Sequence, residues 1–184
     1  MSTPQFFSTS LSSNEPQKGD RKNLDLRTRD GNIDAEIWLM PPGRVEDPLS
    51  GMEKKRTTLY LYSRDGYVSA KVNTVHPSAP FLLDIYARDG RVTVLLPRSF
   101  NGPLRLTARH GSVVLSDELQ QRSALLSTAE RTRRYFVGET FGLTEQDWQG
   151  DELKVEARDG KIRVRYIDEV ETTQRGFLGR IFSR

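Results

Sequence analysis

Cysteine is absent from all 184 residues, and histidine occurs only twice. The first absence excludes disulfide staples, thiolate-ligated zinc, iron–sulfur clusters, cysteine nucleophiles, palmitoylation and prenylation together. It also fits a reducing compartment. Long apolar runs are missing: no window approaches the roughly 18 consecutive apolar residues a membrane-spanning helix requires. The opening segment MSTPQFFSTSLSSNEPQKGDRKN has no cationic start followed by an apolar core, so it does not read as a signal peptide, and Ser2 excludes N-myristoylation. A large charge of one sign is lacking too. Lys and Arg number 28 against 25 Asp and Glu, a balance of +3. That is too small to mark a nucleic-acid surface, and the signs are interleaved as on solvated faces. A cytoplasmic chain without a nucleic-acid partner is the expectation.

What the sequence does have is a repeat. Arg29-Asp30-Gly31 returns as Arg64-Asp65-Gly66, Arg88-Asp89-Gly90, Arg109-His110-Gly111 and Arg158-Asp159-Gly160. The flanks read LDLRTRDGNIDAEI, LYLYSRDGYVSAKV, LDIYARDGRVTVLL, LRLTARHGSVVLSD and LKVEARDGKIRVRY. Apolar and polar residues alternate on both sides of each glycine, and a period of two means strand. Residues equidistant from each turn share a face: Thr28 with Ile33, Leu26 with Ala35 and Leu24 with Ile37 in the first unit. A small residue (Thr28, Ser63, Ala87, Ala108 or Ala157) always stands next to the turn on that face. Glycine is expected there because a tight turn demands positive φ. His110 departs from the pattern and suggests a looser fourth turn.

Two all-β architectures share this inward-facing set. In one, each unit is an antiparallel hairpin of a two-sheet sandwich. In the other, each unit is an arc whose strands pair with neighbouring units, giving a repetitive β-solenoid-like stack. Spacing favours the stack, since solenoid rungs of roughly 20–29 residues are usual and two of the intervals between glycines fall in that range. The interval between Gly111 and Gly160 is close to two rungs and contains one degenerate strand, Thr132–Val137. SDELQQRSALLSTAE predicts a helix near residues 117–127, capped by Ser116, with Leu119, Ser123 and Leu126 along one face and covering an open edge. The expected organisation is a disordered tail at 1–23, a repetitive all-β domain at 24–169, and a C-terminal tail at 170–184.

The segments Leu96-Pro97-Arg98-Ser99-Phe100-Asn101-Gly102-Pro103, Arg133-Arg134-Tyr135-Phe136-Val137-Gly138, Gly150-Asp151-Glu152-Leu153 and Tyr166-Ile167-Asp168-Glu169 carry a resemblance. Together they resemble a fungal family of domains of unknown function built of strand–Asp/Asn-Gly–strand repeats. More weakly, the repeats are similar to the bacterial adhesin-like β-solenoid repeat family. Neither resemblance implies a catalytic residue or a cofactor.

The turn residues Asp30, Gly31, Asp65, Gly66, Asp89, Gly90, Gly111, Asp159 and Gly160 therefore read as structural. Stacked, the aspartates would form a row, but each stands beside an arginine that opposes a cation, so no metal is expected. The arginines Arg29, Arg64, Arg88, Arg109 and Arg158 would form a parallel row facing phosphates or an acidic partner, or a ladder neutralised by its neighbours. Tyr60, Tyr62, Tyr67 and Tyr86 are expected near the turns, with Tyr60 and Tyr62 facing outward. The sequence shows no nucleophile elbow, phosphate-binding glycine loop or HExxH spacing, so no catalytic residue is assigned. Near the C-terminus, Phe177, Leu178, Ile181 and Phe182 fall on one side of a helical wheel beside Arg180. That segment is a candidate contact for a partner protein or, weakly, for a peripheral membrane surface, or else an apolar cap folded back on the last rung. The expected function is a non-enzymatic scaffold or interaction module without cofactors. The alternative is an adhesive, carbohydrate-binding or carbohydrate-active surface protein.

Overall fold

The computed structural model describes residues 22–41, 56–76, 78–138 and 148–169. In chain order the described elements are β1 (Leu24–Asp30), β2 (Ile33–Leu39), β3 (Thr57–Asp65), β4 (Val68–Thr74), β5 (Phe81–Asp89), β6 (Val92–Leu96) and β7 (Gly102–Ala108). They continue with β8 (Val113–Leu115), α1 (Asp117–Gln121), β9 (Ser123–Ala129), β10 (Thr132–Val137), β11 (Glu152–Asp159) and β12 (Ile162–Tyr166). The all-β expectation holds.

The two strands flanking each repeated turn do not pair with each other. β1 pairs in parallel with β3, and β2 with β4. The result is a seven-stranded sheet in the order β1-β3-β5-β11-β7-β10-β9 facing a five-stranded sheet β2-β4-β6-β12-β8. Each unit is thus an arc, and the hairpin alternative is overturned. Both architectures satisfy the alternation, and they differ in what covers the apolar faces. A hairpin keeps both apolar faces on one side of one sheet, where another layer must cover them. An arc folds the two faces onto each other and leaves backbone pairing to its neighbours.

The inward columns follow the parallel register. Leu24, Leu59, Leu83, Leu153 and Leu104 align across the first sheet, as do Thr28, Ser63, Ala87, Ala157 and Ala108. Opposite them, Ile33, Val68, Val92, Ile162 and Val113 align across the second sheet. Leu61, Leu83, Ile85, Val94, Leu106 and Val164 are buried in one continuous core. Each fully buried side chain of this size contributes roughly 1.5–3 kcal/mol.

Stacking order is not sequence order. The fifth arc, β11 and β12, lies between the third and the fourth. This departs from a stack that adds rungs in sequence, and Asp151 is one reason for it. Its Oδ1 accepts from the Phe81 N–H at 3.2 Å and its Oδ2 from the Asn101 N–H at 3.4 Å, joining the starts of the two arcs on either side. Trp148 Nε1 donates to the Asp151 carbonyl at 2.8 Å. Burial pushes the Asp151 carboxyl up, and the two backbone donors oppose that shift.

The segment expected to be one helix near 117–127 is a helix followed by a strand. Ser116 does cap it, its Oγ accepting from the Leu119 N–H at 3.3 Å, and Leu119 is fully buried. The helix stops at Gln121, and Ser123 and Leu126 belong to β9 instead. There, hydrogen bonds to β10 replace the helical ones, through a reversal in which Glu130 takes φ +52°. Leu125 and Leu126 are consequently exposed. The strand expected at Thr132–Val137 is there as β10, but it pairs with β9 as an antiparallel hairpin instead of forming a further rung. α1 does cover an edge: β8 pairs with β12 only from Ile162 to Val164, and α1 packs on β12 beyond it.

Candidate functional site

The repeated turns form three adjacent columns. The first is glycine. An added Cβ on Gly66 would lie 2.1 Å from the Gly31 carbonyl oxygen, and one on Gly90 2.1 Å from that of Gly66. On Gly160 it would lie 1.8 Å from the Gly90 oxygen, and on Gly111 1.7 Å from the Gly160 oxygen. Glycine is required chiefly because each turn rests on the one beneath it. Positive φ occurs at only two of the five, Gly31 and Gly90. The fourth turn is not displaced from the column by His110.

The second column is Asp30, Asp65, Asp89 and Asp159, in register from strand to strand. His110 ends it, with Nδ1 2.8 Å from Asp159 Oδ1. Arginines flank the carboxylates at 3.6 Å (Arg64 to Asp65) and 3.4 Å (Arg88 to Asp89 and Arg158 to Asp159). Desolvation pushes the Asp89 carboxyl up, helped by the neighbouring carboxylates of Asp65 and Asp159, against the pull of Arg88. Asp159 is held low, chiefly by His110.

The third column is arginine, on the outer face of the seven-stranded sheet. Arg64, Arg88 and Arg158 pair with their aspartates, and Arg109 Nη2 lies 2.7 Å from Glu156. Arg29 is exposed and has no ion pair among the described residues. It lines a groove of about 680 Å³ formed with Arg27, Thr28, Tyr60, Tyr62 and Arg64. Arg64 Nε is buried there without a hydrogen bond. Arg27 Nε and Nη2 reach Asp25 at 2.8 and 3.1 Å.

The aromatic walls are already engaged. Tyr62 and Tyr86 stack at 5.3 Å with an interplanar angle of 8°. Lys22 Nζ stands 3.6 Å from the Tyr60 ring centroid, and Arg27 Cζ 5.0 Å from it. Burial pushes the Tyr60 hydroxyl up. Tyr67 lies at a turn, under Arg91 at 5.7 Å, away from this groove. At the far side of the sheet, Trp148 packs edge-on against Phe136 at 5.0 Å.

The structure thus brings together Arg29, Arg64, Tyr60 and Tyr62. Arg27, Thr28 and Lys22 complete the place and were not foreseen. Arg27 was legible, because it stands two residues before Arg29 and so on the same strand face. The tail residues Phe177, Leu178, Arg180, Ile181 and Phe182 lie outside the described residues. Among the described residues no three of His, Asp and Glu converge as metal ligands. None of the described helices is long and apolar enough to cross a membrane.

The segments that carried the sequence resemblance meet far from the groove. Arg98 Nε donates to Asp168 at 2.8 and 3.0 Å and its guanidinium pairs with Glu118. Arg98 Cζ also lies 4.4 Å from the ring centroid of the buried Tyr166. This web ties α1 to the ends of β6 and β12. Among solved structures the chain is similar to a "putative cell adhesion protein" from Clostridium sporogenes, at 13% identity and a TM-score of 0.38, over 78% of this chain and 92% of that one. A likeness at that level carries no argument here. No curated protein matches. The matched family model covers residues 1–169, which include every described strand, and the chain belongs to that family, a domain of unknown function (DUF7330).

Proposed function

We propose that this chain is a non-enzymatic interaction module that holds an acidic segment of a partner protein against the outer face of β1 and β3. The observation that carries the reading is Arg29. It is an exposed guanidinium in a groove with two further arginines, and among the described residues it lacks the ion pair that the other four members of its column make. An unpaired guanidinium binds a carboxylate without first breaking an internal pair, and its planar fork favours a bidentate partner.

The carbohydrate alternative finds less support. Sugars stack on open ring faces, whereas Tyr62 and Tyr86 cover each other and Lys22 sits over Tyr60. The test is fluorescence anisotropy with a labelled glutamate-rich peptide. Wild-type protein should bind it in a salt-sensitive manner, and Arg29→Glu should weaken binding about tenfold, a change of ~1.4 kcal/mol. Equal affinity for the two proteins would sink the proposal.

A further inference from the structure

β1 borders the groove and, among the described strands, has a neighbour on one side only. Its inward residues continue the core columns without being covered. Leu26 is 38% exposed while its registered neighbour Leu61 is 0% exposed, and Leu24 and Thr28 are half-buried. One more strand alongside β1 would therefore complete columns that already exist. β9, at the opposite edge, gives no such completion. The five-stranded sheet ends at β8 and does not extend beneath it, and the pairing of β9 with β10 shifts register between Arg134 and Tyr135. A bulge of that kind disfavours further pairing.

From this we infer that the acidic partner binds by strand addition, as an extended segment hydrogen-bonded along the free edge of β1. The inference rests on the reading of Arg29 given above and refines the placement: the backbone of the segment lies along the edge of β1, and only its outward acidic side chains reach the outer face, at Arg27 and Arg29. Alternation fixes the chemistry of the incoming segment. Residues on the core side must be small or apolar to cover Leu24, Leu26 and Thr28. Residues on the outer side stand beside Arg27 and Arg29 and must be acidic, because Arg29 has no carboxylate partner among the described residues. Main-chain bonds supply affinity in this mode, and alternate side chains supply specificity.

The experiment compares two probes on the full chain: acetyl-(Val-Glu)4-amide, and the same peptide N-methylated at every residue. The second keeps the charge and side chains but has no backbone N–H to donate from either edge along its residues. Strand addition requires the unmodified peptide to bind and N-methylation to weaken it about tenfold or more, ~1.4 kcal/mol. Arg29→Glu should weaken the unmodified peptide as well. If both peptides bind equally and Arg29→Glu weakens both, the groove reading stands and strand addition is overturned. If neither binds, both fall. If sedimentation shows a dimer that the peptide does not dissociate and that Leu26→Lys does, a second copy occupies the edge and the acidic partner is overturned.

Discussion

The two ends of the stack close in different ways. At one, the chain turns back on itself as the β9–β10 hairpin, and α1 covers the part of β12 that β8 leaves free. At the other, β1 and β2 end the two sheets, and Leu26, Ala35 and Ile37 occupy core columns without being fully buried. The comparison teaches that position in the stack, not identity in the repeat, sets what a residue contributes. The same motif is tightly enclosed in the middle and half open at the end.

The largest effect expected from this contrast is at the glycines. Gly160→Ala should destabilise by about 3 kcal/mol or more, because its Cβ would meet a backbone oxygen that cannot rotate away. Gly31→Ala meets nothing nearer than Thr28 Oγ1 at 3.4 Å, so its cost is the backbone conformation at φ +154°, about 1 kcal/mol. Urea denaturation of both variants checks this, and equal losses would refute the stacking argument.

The leucines should differ less. Leu153→Ala, at a fully buried central position, should lose about 3 kcal/mol through the cavity it leaves. Leu26→Ala, 38% exposed at the end, should lose about 1 kcal/mol. If the Leu26 loss matched that of Leu153, β1 would have to be covered in solution, and the open-edge reading would need revision.

The smallest effect concerns the carboxylates and has a definite sign. Asp89 lies between Asp65 and Asp159 and has a folded value raised above 3.8, so its charged form opposes folding at neutral pH. As pH falls through the raised folded value toward 3.8, the folded chain takes up the proton first and that opposition is relieved. Asp89→Asn should therefore raise the thermal midpoint at neutral pH and lose this advantage in acid. Asp159 is held below 3.8, so it stabilises above the ordinary value and that stabilisation is lost as pH falls through its lower folded value. Asp159→Asn should lower the midpoint at neutral pH. Thermal melts of the two variants across that range test the opposite signs.

Much of this was legible in the chain. Alternation around Gly31, Gly66, Gly90, Gly111 and Gly160 correctly separates inward Leu24, Leu59 and Leu83 from outward Asp25, Tyr60 and Asp84, because side-chain direction in a strand has a period of two. The part of the helix that failed is SALLSTA. Its residues suit either state locally, and the strand wins because Thr132–Val137 provides a hydrogen-bonding partner. The candidate groove was half legible: Arg29, Arg64, Tyr60 and Tyr62 stood out, but which arginine lacks a carboxylate depends on rotamers and neighbours on other strands.

The sequence by itself determined where the strands of the five arcs run, which of their side chains face inward and where each arc bends, since these follow from local periodicity and from glycine. Only the tertiary structure decided which strands pair, that the fifth arc enters between the third and the fourth, and that Arg29 has no ion pair among the described residues. Backbone hydrogen bonds are nearly indifferent to sequence, so five arcs with similar apolar faces could stack in several orders. Contacts between distant residues, such as Asp151 with the N–H groups of Phe81 and Asn101, help select one of them.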